Sequence, residues 1–210
     1  MVGGSPQAAT PPLLAAENAR LPAPDALPRE LTGTEIAALL RAANDDGRLI
    51  MTALLSGLSA EEIGALDWDQ IDLVAGTIRV NGEAPRTLPP NDPLRRLLAA
   101  RRAAQPQAEG AVLRGPSGGP LPLDDIRSLV MYAAYDAGLD GADEVSLRAL
   151  RHTYLVYLLR QGIRFADIGR IVGRLPQEEL AAYMRFAPSQ PRQPLEQIDP
   201  VLPALRDMAA

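Results

Sequence analysis

The chain has 210 residues, 47% of them apolar, which is enough for one hydrophobic core with tails. It contains no cysteine and a single histidine, His152, so disulfides and thiolate metal sites are excluded and a zinc site is disfavoured. The net charge of -5 argues against a protein whose main function is to bind duplex DNA, because contacts of basic side chains with phosphates supply most of the non-specific affinity for DNA.

No apolar run approaches the roughly 20 residues that span a bilayer, and the first residues lack the basic and apolar regions of a secretory signal. We therefore expect a cytoplasmic protein with no cofactor and no metal. The charge is unevenly distributed: residues 31–93 carry four arginines against ten acids, whereas 145–185 carry seven arginines against three acids. Residues 145–185 are therefore a locally positive segment of an otherwise acidic chain.

Residues 1–30 are rich in proline, alanine and glycine, and their prolines prevent a long helix. This range is predicted to be a leader that is either disordered or docked on a partner through its apolar run at residues 11–16. Residues 31–187 form the predicted folded domain. Prolines also preclude long elements after it, so residues 188–210 are predicted to be a tail with scattered apolar positions.

Within the folded domain the first predicted elements are helices. Thr32 and Glu35 form a capping box for a helix that breaks at residues 44–47, before a second helix. Ser59 is suited to cap a third helix. Trp68 continues the apolar face of that helix and is predicted to lie in the core.

A β-hairpin and two more helices follow. Residues 77–80 alternate as a strand does, 81–82 form a turn signal, and 86–89 return as the paired strand. A helix is predicted at 92–104 and a short strand at 111–114. The next helix begins at residue 123 and carries the apolar residues Ile126, Leu129, Val130 and Tyr135.

The spacing of residues in the range 146–186 indicates a functional site more than it indicates core packing. Arg148 and Arg151 lie three residues apart at a predicted helix start, so they share one face. A later corner ends at Arg174, and Tyr183 lies nine residues further on.

This order resembles the C-terminal signature of the tyrosine recombinases, the family of phage integrases and Xer-type recombinases. Residues 150–153 match its Leu-Arg-His-Thr core, 172–173 match its Leu-Gly corner, and Tyr183 falls on the nucleophile. The family's first motif is matched by Glu62, Leu66, Trp68, Ile71 and Asp72. The resemblance covers residues 31–187 and implies a mainly α fold with a small antiparallel β-sheet. It does not extend to the family's separate N-terminal core-binding domain.

The resemblance also implies that Arg151 and Tyr183 hold catalytic positions, while other catalytic positions have changed. The changed positions are Ser59, where the family has its first arginine, Glu83 (lysine), Arg148 (histidine) and Arg174 (histidine or tryptophan). The chain contains no lysine at all. An arginine cannot replace the missing proton donor, because a guanidinium with a pKa above about 12 does not release its proton near neutral pH.

These departures favour a degenerate, catalytically inactive member of the family that acts as a structural or adaptor protein. We expect a protein partner, bound through the leader, the tail or the arginine cluster. One alternative is a DNA-associated accessory factor that holds phosphates weakly through Arg148, Arg151 and Arg174. Others are a residual site-specific recombinase and a binder of small anions, and an oligomer is compatible with each.

Individual residues have structural alternatives as well. Tyr183 is either a surviving nucleophile or a packed aromatic residue. Arg151 either clamps a phosphate or forms a buried salt bridge with Glu62 or another acid. His152 is favoured as a hydrogen-bonded structural residue. Two hairpin arginines are candidates to approach a phosphate, Arg79 and Arg86.

Overall fold

Helices dominate the part of the chain that the computed structural model describes, residues 27–189 and 191–206. Most of the predicted leader, residues 1–26, lies outside those ranges. The α-helices of the described residues are α1 (Gly33–Ala42), α2 (Asp45–Leu54), α3 (Ala60–Gly64), α4 (Asp92–Ala104), α5 (Leu123–Asp136), α6 (Leu147–Arg160), α7 (Phe165–Val172), α8 (Gln177–Tyr183) and α9 (Pro203–Arg206). None of these helices is long and apolar enough to cross a bilayer.

Several helices begin at side chains that satisfy the free N–H groups of the first turn. Thr32 and Glu35 form the predicted capping box of α1, in which Glu35 Oε2 accepts the Thr32 N–H at 2.8 Å. Asn44 caps α2 by accepting the Gly47 N–H at 2.8 Å. Residues 45–47, which were predicted as a break between helices, are therefore the first turn of α2. Such a cap stabilises a helix by about 1 kcal/mol.

Three short strands form one antiparallel sheet in the order β1 (Ile71–Asp72), β2 (Thr77–Val80) and β3 (Arg86–Leu88). Ile78 pairs with both neighbours and is fully buried. The predicted hairpin is therefore present, although its connection runs over residues 81–85. The prediction of a mainly α fold with a small antiparallel sheet is confirmed.

The strand predicted at residues 111–114 is wrong. Ala111 and Arg114 make only isolated bridges, to Asp67 and Pro120. A turn closed by a hydrogen bond from the Gly115 N–H to the Gly119 carbonyl follows directly and leaves too little extended chain for a ladder.

The core centres on α2, whose residues 49–54 are all buried and which packs against α1, α4, α5 and α6. Helix α6 buries most of its length as well, including Tyr154 and Leu158. Trp68 is 5% exposed, as predicted for a core residue, and the Arg102 guanidinium lies 4.5 Å from the centre of its ring. Each buried apolar side chain of leucine size contributes about 1.5–3 kcal/mol.

The described part of the tail packs on its own chain. Leu202 and Leu205 are buried, and α9 contacts α1. The Tyr157 hydroxyl donates to the carbonyl of Asp199 at 3.0 Å, and the Tyr154 hydroxyl donates to that of Pro200 at 3.0 Å. These contacts fix the tail between α1 and α6, on the side of α6 that carries its two tyrosines.

Candidate functional site

A cleft of about 1060 Å³ lies between α3, the β2–β3 loop, α5 and the start of α6. Four residues at and around the junction of α7 and α8 also line it: Val172, Arg174, Leu175 and Glu179. The cleft contains five of the six site positions predicted from the sequence, Ser59, Glu83, Arg148, Arg151 and Arg174. The sixth, Tyr183, does not line it.

Arg151 is anchored by backbone carbonyls. Its guanidinium donates to the Gly57 carbonyl at 3.4 Å and to the Val172 carbonyl. Burial lowers the pKa of Arg151, and the nearby Glu62 carboxylate opposes that shift. The predicted salt bridge between Arg151 and Glu62 is wrong, because Glu62 is engaged by a different arginine.

That arginine is Arg86, which the sequence did not single out for this role. Its guanidinium forms a two-pronged ion pair with Glu62, at 2.5 and 2.8 Å, and its side chain is 6% exposed. Nε donates to the Ile171 carbonyl at 2.9 Å, and Nη2 donates to the Gly57 carbonyl at 3.1 Å. Arg86 therefore joins β3 to α3 and to the end of α7, and it does not itself line the cleft.

Gly173 is required beside this ion pair. Its φ is +75°, and a Cβ at this position would lie 2.8 Å from Nη1 of Arg86. The Gly corner that the sequence matched to the family motif is thus explained by a close approach of a buried guanidinium. Arg79, the other hairpin candidate, donates to the Asp69 carbonyl instead of facing the cleft.

Ser59 acts as a helix cap. Its Oγ accepts the Glu62 N–H at 3.2 Å, and Glu62 Oε2 accepts the Ser59 N–H at 2.8 Å. Glu62 thereby serves both the cap of α3 and the ion pair with Arg86. The position at which the family motif has an arginine supplies no charge to the cleft.

Tyr183 points into the protein. Its hydroxyl lies 3.0 Å from Nδ1 of His152, and the two side chains are 2% and 3% exposed. The Phe186 ring packs edge-on against the His152 ring, with 5.8 Å between their centres. Burial raises the pKa of Tyr183 to about 12 and lowers the pKa of His152.

The cleft mixes both signs of charge. Facing Arg148, Arg151, Arg174 and a fourth arginine, Arg127, are the acids Glu61, Glu62, Glu83, Asp143 and Glu179. The locally positive segment 145–185 therefore meets the acidic range 31–93 in this cleft. No group of three or more side chains suited to a metal is present in residues 27–189 and 191–206.

The wall of the cleft that α5 forms is partly apolar and was not anticipated. Leu123, Arg127, Met131 and Tyr135 recur every four residues on α5, so they share the face that lines the cleft. Met131 is 39% exposed and Tyr135 is 56% exposed. Tyr135, which the sequence grouped with the buried Ile126, is on the open face.

The helical fold with its small antiparallel sheet is the architecture of tyrosine recombinase and integrase catalytic domains. The model of the phage integrase family matches residues 29–189, and the chain belongs to that family.

Individual relatives agree with this assignment. The chain is 28% identical to an integrase of Streptomyces ambofaciens, in a match covering 69% of this chain and 46% of the relative. XerA recombinase has a similar structure, with a TM-score of 0.67, 20% identity and coverage of 90% of this chain and 65% of that one. A dimer of lambda integrase residues 75–356 bound to a core site gives a TM-score of 0.59 at 17% identity, covering 80% and 63%. The chain thus spans less than two thirds of each of these relatives.

Proposed function

We propose that this chain is a catalytically inactive tyrosine-recombinase domain that acts as an adaptor by binding another protein. The observation that carries the proposal is the role of Ser59. This residue occupies the position of the family's first catalytic arginine, and it caps α3. Arg86, a candidate to replace that arginine, is held by Glu62 and does not line the cleft. Arg151 therefore lacks the partner with which the family clamps a phosphate.

The other reacting groups support the same proposal. Strand transfer needs a nucleophile that loses a proton and a donor that protonates the leaving oxygen. Tyr183 is buried and does not line the cleft, and its hydroxyl lies 3.0 Å from Nδ1 of His152. The chain has no lysine to act as donor, and its only histidine faces Tyr183. Each missing charge donor lowers a rate by about 10²–10³.

The surface of the cleft suits a protein partner. The apolar face of α5 exposes Met131 and Tyr135, and acids such as Glu61 and Glu83 on the opposite wall are exposed. Aromatic and methionine side chains are enriched at protein interfaces, whereas DNA-binding surfaces are more polar and carry much more positive charge.

The domain division belongs to the same proposal. Residues 31–187 form the recombinase-like module, with a leader at 1–30 and a tail at 188–210. Its support is that the family match, at 29–189, has almost the same limits as the module.

Paired surface variants test the adaptor function. Tyr135 and Tyr132 are both exposed on α5, at 56% and 60%, but only Tyr135 lines the cleft. Proteins cross-linked to the full chain in its native host are compared for the wild type, Tyr135→Ser and Tyr132→Ser. A partner that Tyr135→Ser loses and Tyr132→Ser keeps supports the proposal. Capture of the same proteins by all three chains would contradict it. Capture of DNA without any protein would also contradict it.

A second candidate is binding of DNA phosphates without cleavage, favoured by the convergence of Arg148, Arg151 and Arg174 in one cleft. Its test is a mobility shift at low salt, in which Arg148→Ala is compared with Arg95→Ala. Arg95 is a matched control because it pairs with Asp92 on α4, away from the cleft. Loss of one phosphate contact lowers the slope of log affinity against log salt by about 1. An unshifted duplex at low salt removes this candidate.

A further inference from the structure

Asn81 and Gly82 begin the loop that connects β2 to β3. The sequence predicts a tight turn at these two residues, but the last cross-strand pair of the hairpin is Val80 with Arg86, so the loop runs over residues 81–85. Asn81 and Gly82 are both exposed, and both line the cleft. Because neither residue belongs to the ladder, a chemical change at this pair leaves the cross-strand pairs of the sheet in place.

An asparagine followed by glycine carries both reactants of a ring closure. The backbone nitrogen of Gly82 attacks Cγ of Asn81 and closes a five-membered cyclic imide. The bond from Cγ to the side-chain nitrogen breaks, and ammonia leaves. Water then opens the imide at either carbonyl, which leaves aspartate or isoaspartate at position 81. The net change replaces an amide by a carboxylate, consumes one water molecule and requires no enzyme, oxidant or cofactor.

The structure leaves both reacting groups accessible. A Cβ built on Gly82 would meet nothing within 4 Å, so the loop is open around this residue. Glycine has no side chain beside its nitrogen, and nothing shields that atom from Cγ of Asn81. Within residues 27–189 and 191–206, no hydrogen bond holds the Gly82 N–H or the Asn81 side chain. Neither group therefore has to break a contact before the ring closes.

The other asparagines of the described ranges are held in place. Asn44 accepts the Gly47 N–H at 2.8 Å as the cap of α2. Asn91 caps α4, and its side-chain amide donates to the Ser56 hydroxyl at 2.7 Å. Each of them precedes an aspartate, whose side chain crowds the attacking nitrogen. Asn81 thus differs from both in its neighbour and in its freedom.

The reaction changes the charge of the cleft. Four arginines and five acids line the cleft before it, and a carboxylate at position 81 adds a sixth acid. The isoaspartate product also carries the main chain through Cγ, which lengthens the backbone next to the pair of Val80 with Arg86. An added negative charge repels anions and attracts cations. The reacted chain therefore offers a more acidic cleft than the newly made one.

We propose that Asn81 is a site of spontaneous deamidation in the folded protein, through attack by the Gly82 nitrogen, so that the cleft becomes more acidic as the chain ages. This inference goes beyond the adaptor function and does not depend on it, because the reaction needs only the loop at residues 81–85 and water.

Peptide mapping of the aged protein tests the proposal. Trypsin cleaves after arginine, so the three described asparagines fall in separate peptides without glutamine, at residues 42–48, 80–86 and 87–95. The full chain is incubated at mildly alkaline pH in heavy-oxygen water and then digested in ordinary water at mildly acidic pH. We expect peptide 80–86 to gain the mass of an amide-to-acid change with heavy oxygen, about tenfold or more faster than the other two.

Two alanine variants provide a matched pair. Gly82→Ala places a methyl group beside the attacking nitrogen and should slow the reaction about tenfold or more. Gly76→Ala lies in the turn between β1 and β2, where the φ is also positive and a Cβ also meets nothing within 4 Å. This control should react at the rate of the wild type. Trp68 fluorescence verifies that both variants are folded.

Four outcomes would overturn the proposal. They are no mass gain in peptide 80–86, equal rates in the three peptides, an undiminished rate in Gly82→Ala, and a gain that carries no heavy oxygen and so arose during digestion. The incubation contains neither a partner nor DNA, so these results leave the adaptor proposal untouched.

Discussion

The hydroxyl of Tyr183 and Nδ1 of His152 lie 3.0 Å apart, with both side chains buried. The tyrosine at the family's nucleophile position is therefore bound to the chain's only histidine, while Arg151 lies in the cleft. The contact ties α8 to α6 and removes two groups with acid–base chemistry from solvent. It predicts measurable effects on stability, with no DNA required.

We predict that the stability of the chain depends on pH through His152. Burial lowers its pKa in the folded state, so the unfolded chain takes up a proton first as the pH falls below about 6.5. Stability is then lost from about pH 6.5 down to the lower folded pKa, with a slope of at most about 1.4 kcal/mol per pH unit. His152→Gln, which does not titrate, should lack this component in urea unfolding between pH 5 and 7.5. Equal pH dependence in both proteins would contradict it.

Removal of the Tyr183 hydroxyl should destabilise the chain modestly. Tyr183→Phe leaves a buried ring nitrogen of His152 without its partner, at an expected cost of about 1–3 kcal/mol. Tyr132→Phe is the control, because the Tyr132 side chain is 60% exposed. Urea unfolding at pH 7.5 measures both, and an unchanged midpoint for Tyr183→Phe would show that the contact contributes nothing.

The ion pair between Arg86 and Glu62 should be a major structural contact. Arg86→Met leaves Glu62 largely buried without its cation, which is expected to cost about 3–5 kcal/mol. Arg127→Met removes an exposed pair with Asp124 and should cost less than about 1 kcal/mol. The double variant Arg86→Met with Glu62→Gln should recover part of the loss. A loss as small as that of Arg127→Met would refute the assignment.

Substitution by alanine should change the stability of the chain in opposite directions at two glycines that lie four residues apart. Gly173→Ala places a Cβ 2.8 Å from Arg86 at a φ of +75° and should cost about 1–3 kcal/mol. Gly169 lies inside α7, where a Cβ meets nothing within 4 Å, so Gly169→Ala should stabilise the helix by about 0.5–1 kcal/mol. Thermal unfolding of the two variants provides the comparison. The interpretation fails if both shift the melting temperature in the same direction.

Ser59→Ala should behave as the loss of a helix cap. The variant removes the oxygen that accepts the Glu62 N–H, and about 1 kcal/mol of stability should be lost. Ser117→Ala, in an exposed loop, provides the baseline. Equal stability of these two variants would show that the cap is not needed.

The resemblance of the motifs to those of a known family predicted the fold. Arg151 and Glu62 were matched to two separate motifs of one family, and in the structure both residues line the same cleft. The capping box at Thr32 and the N-cap at Ser59 likewise follow from short-range patterns, because all of their atoms lie within one turn.

Contacts between distant residues could not be predicted in the same way. Arg86 and Glu62 are 24 residues apart and belong to different elements, so no local pattern assigns one to the other. The only available signal was that the family's first motif keeps its glutamate, Glu62, although Ser59 stands at the position of its arginine. The direction of Tyr183 was also open, because an aromatic residue near Leu180 fits either a packed or an exposed position. The open face of α5 was missed because its four-residue spacing is also typical of a buried helix.

Formation of a covalent bond between the chain and DNA tests the central claim most directly. The full chain is incubated with radiolabelled, nicked suicide duplexes of randomised sequence, which trap a cleaved intermediate because the short strand beyond the nick is lost. Denaturing gels then compare it with Tyr183→Phe and with an active tyrosine recombinase. We predict that the chain gives no protein-linked label above the Tyr183→Phe background. A labelled protein band that disappears in Tyr183→Phe would contradict the account.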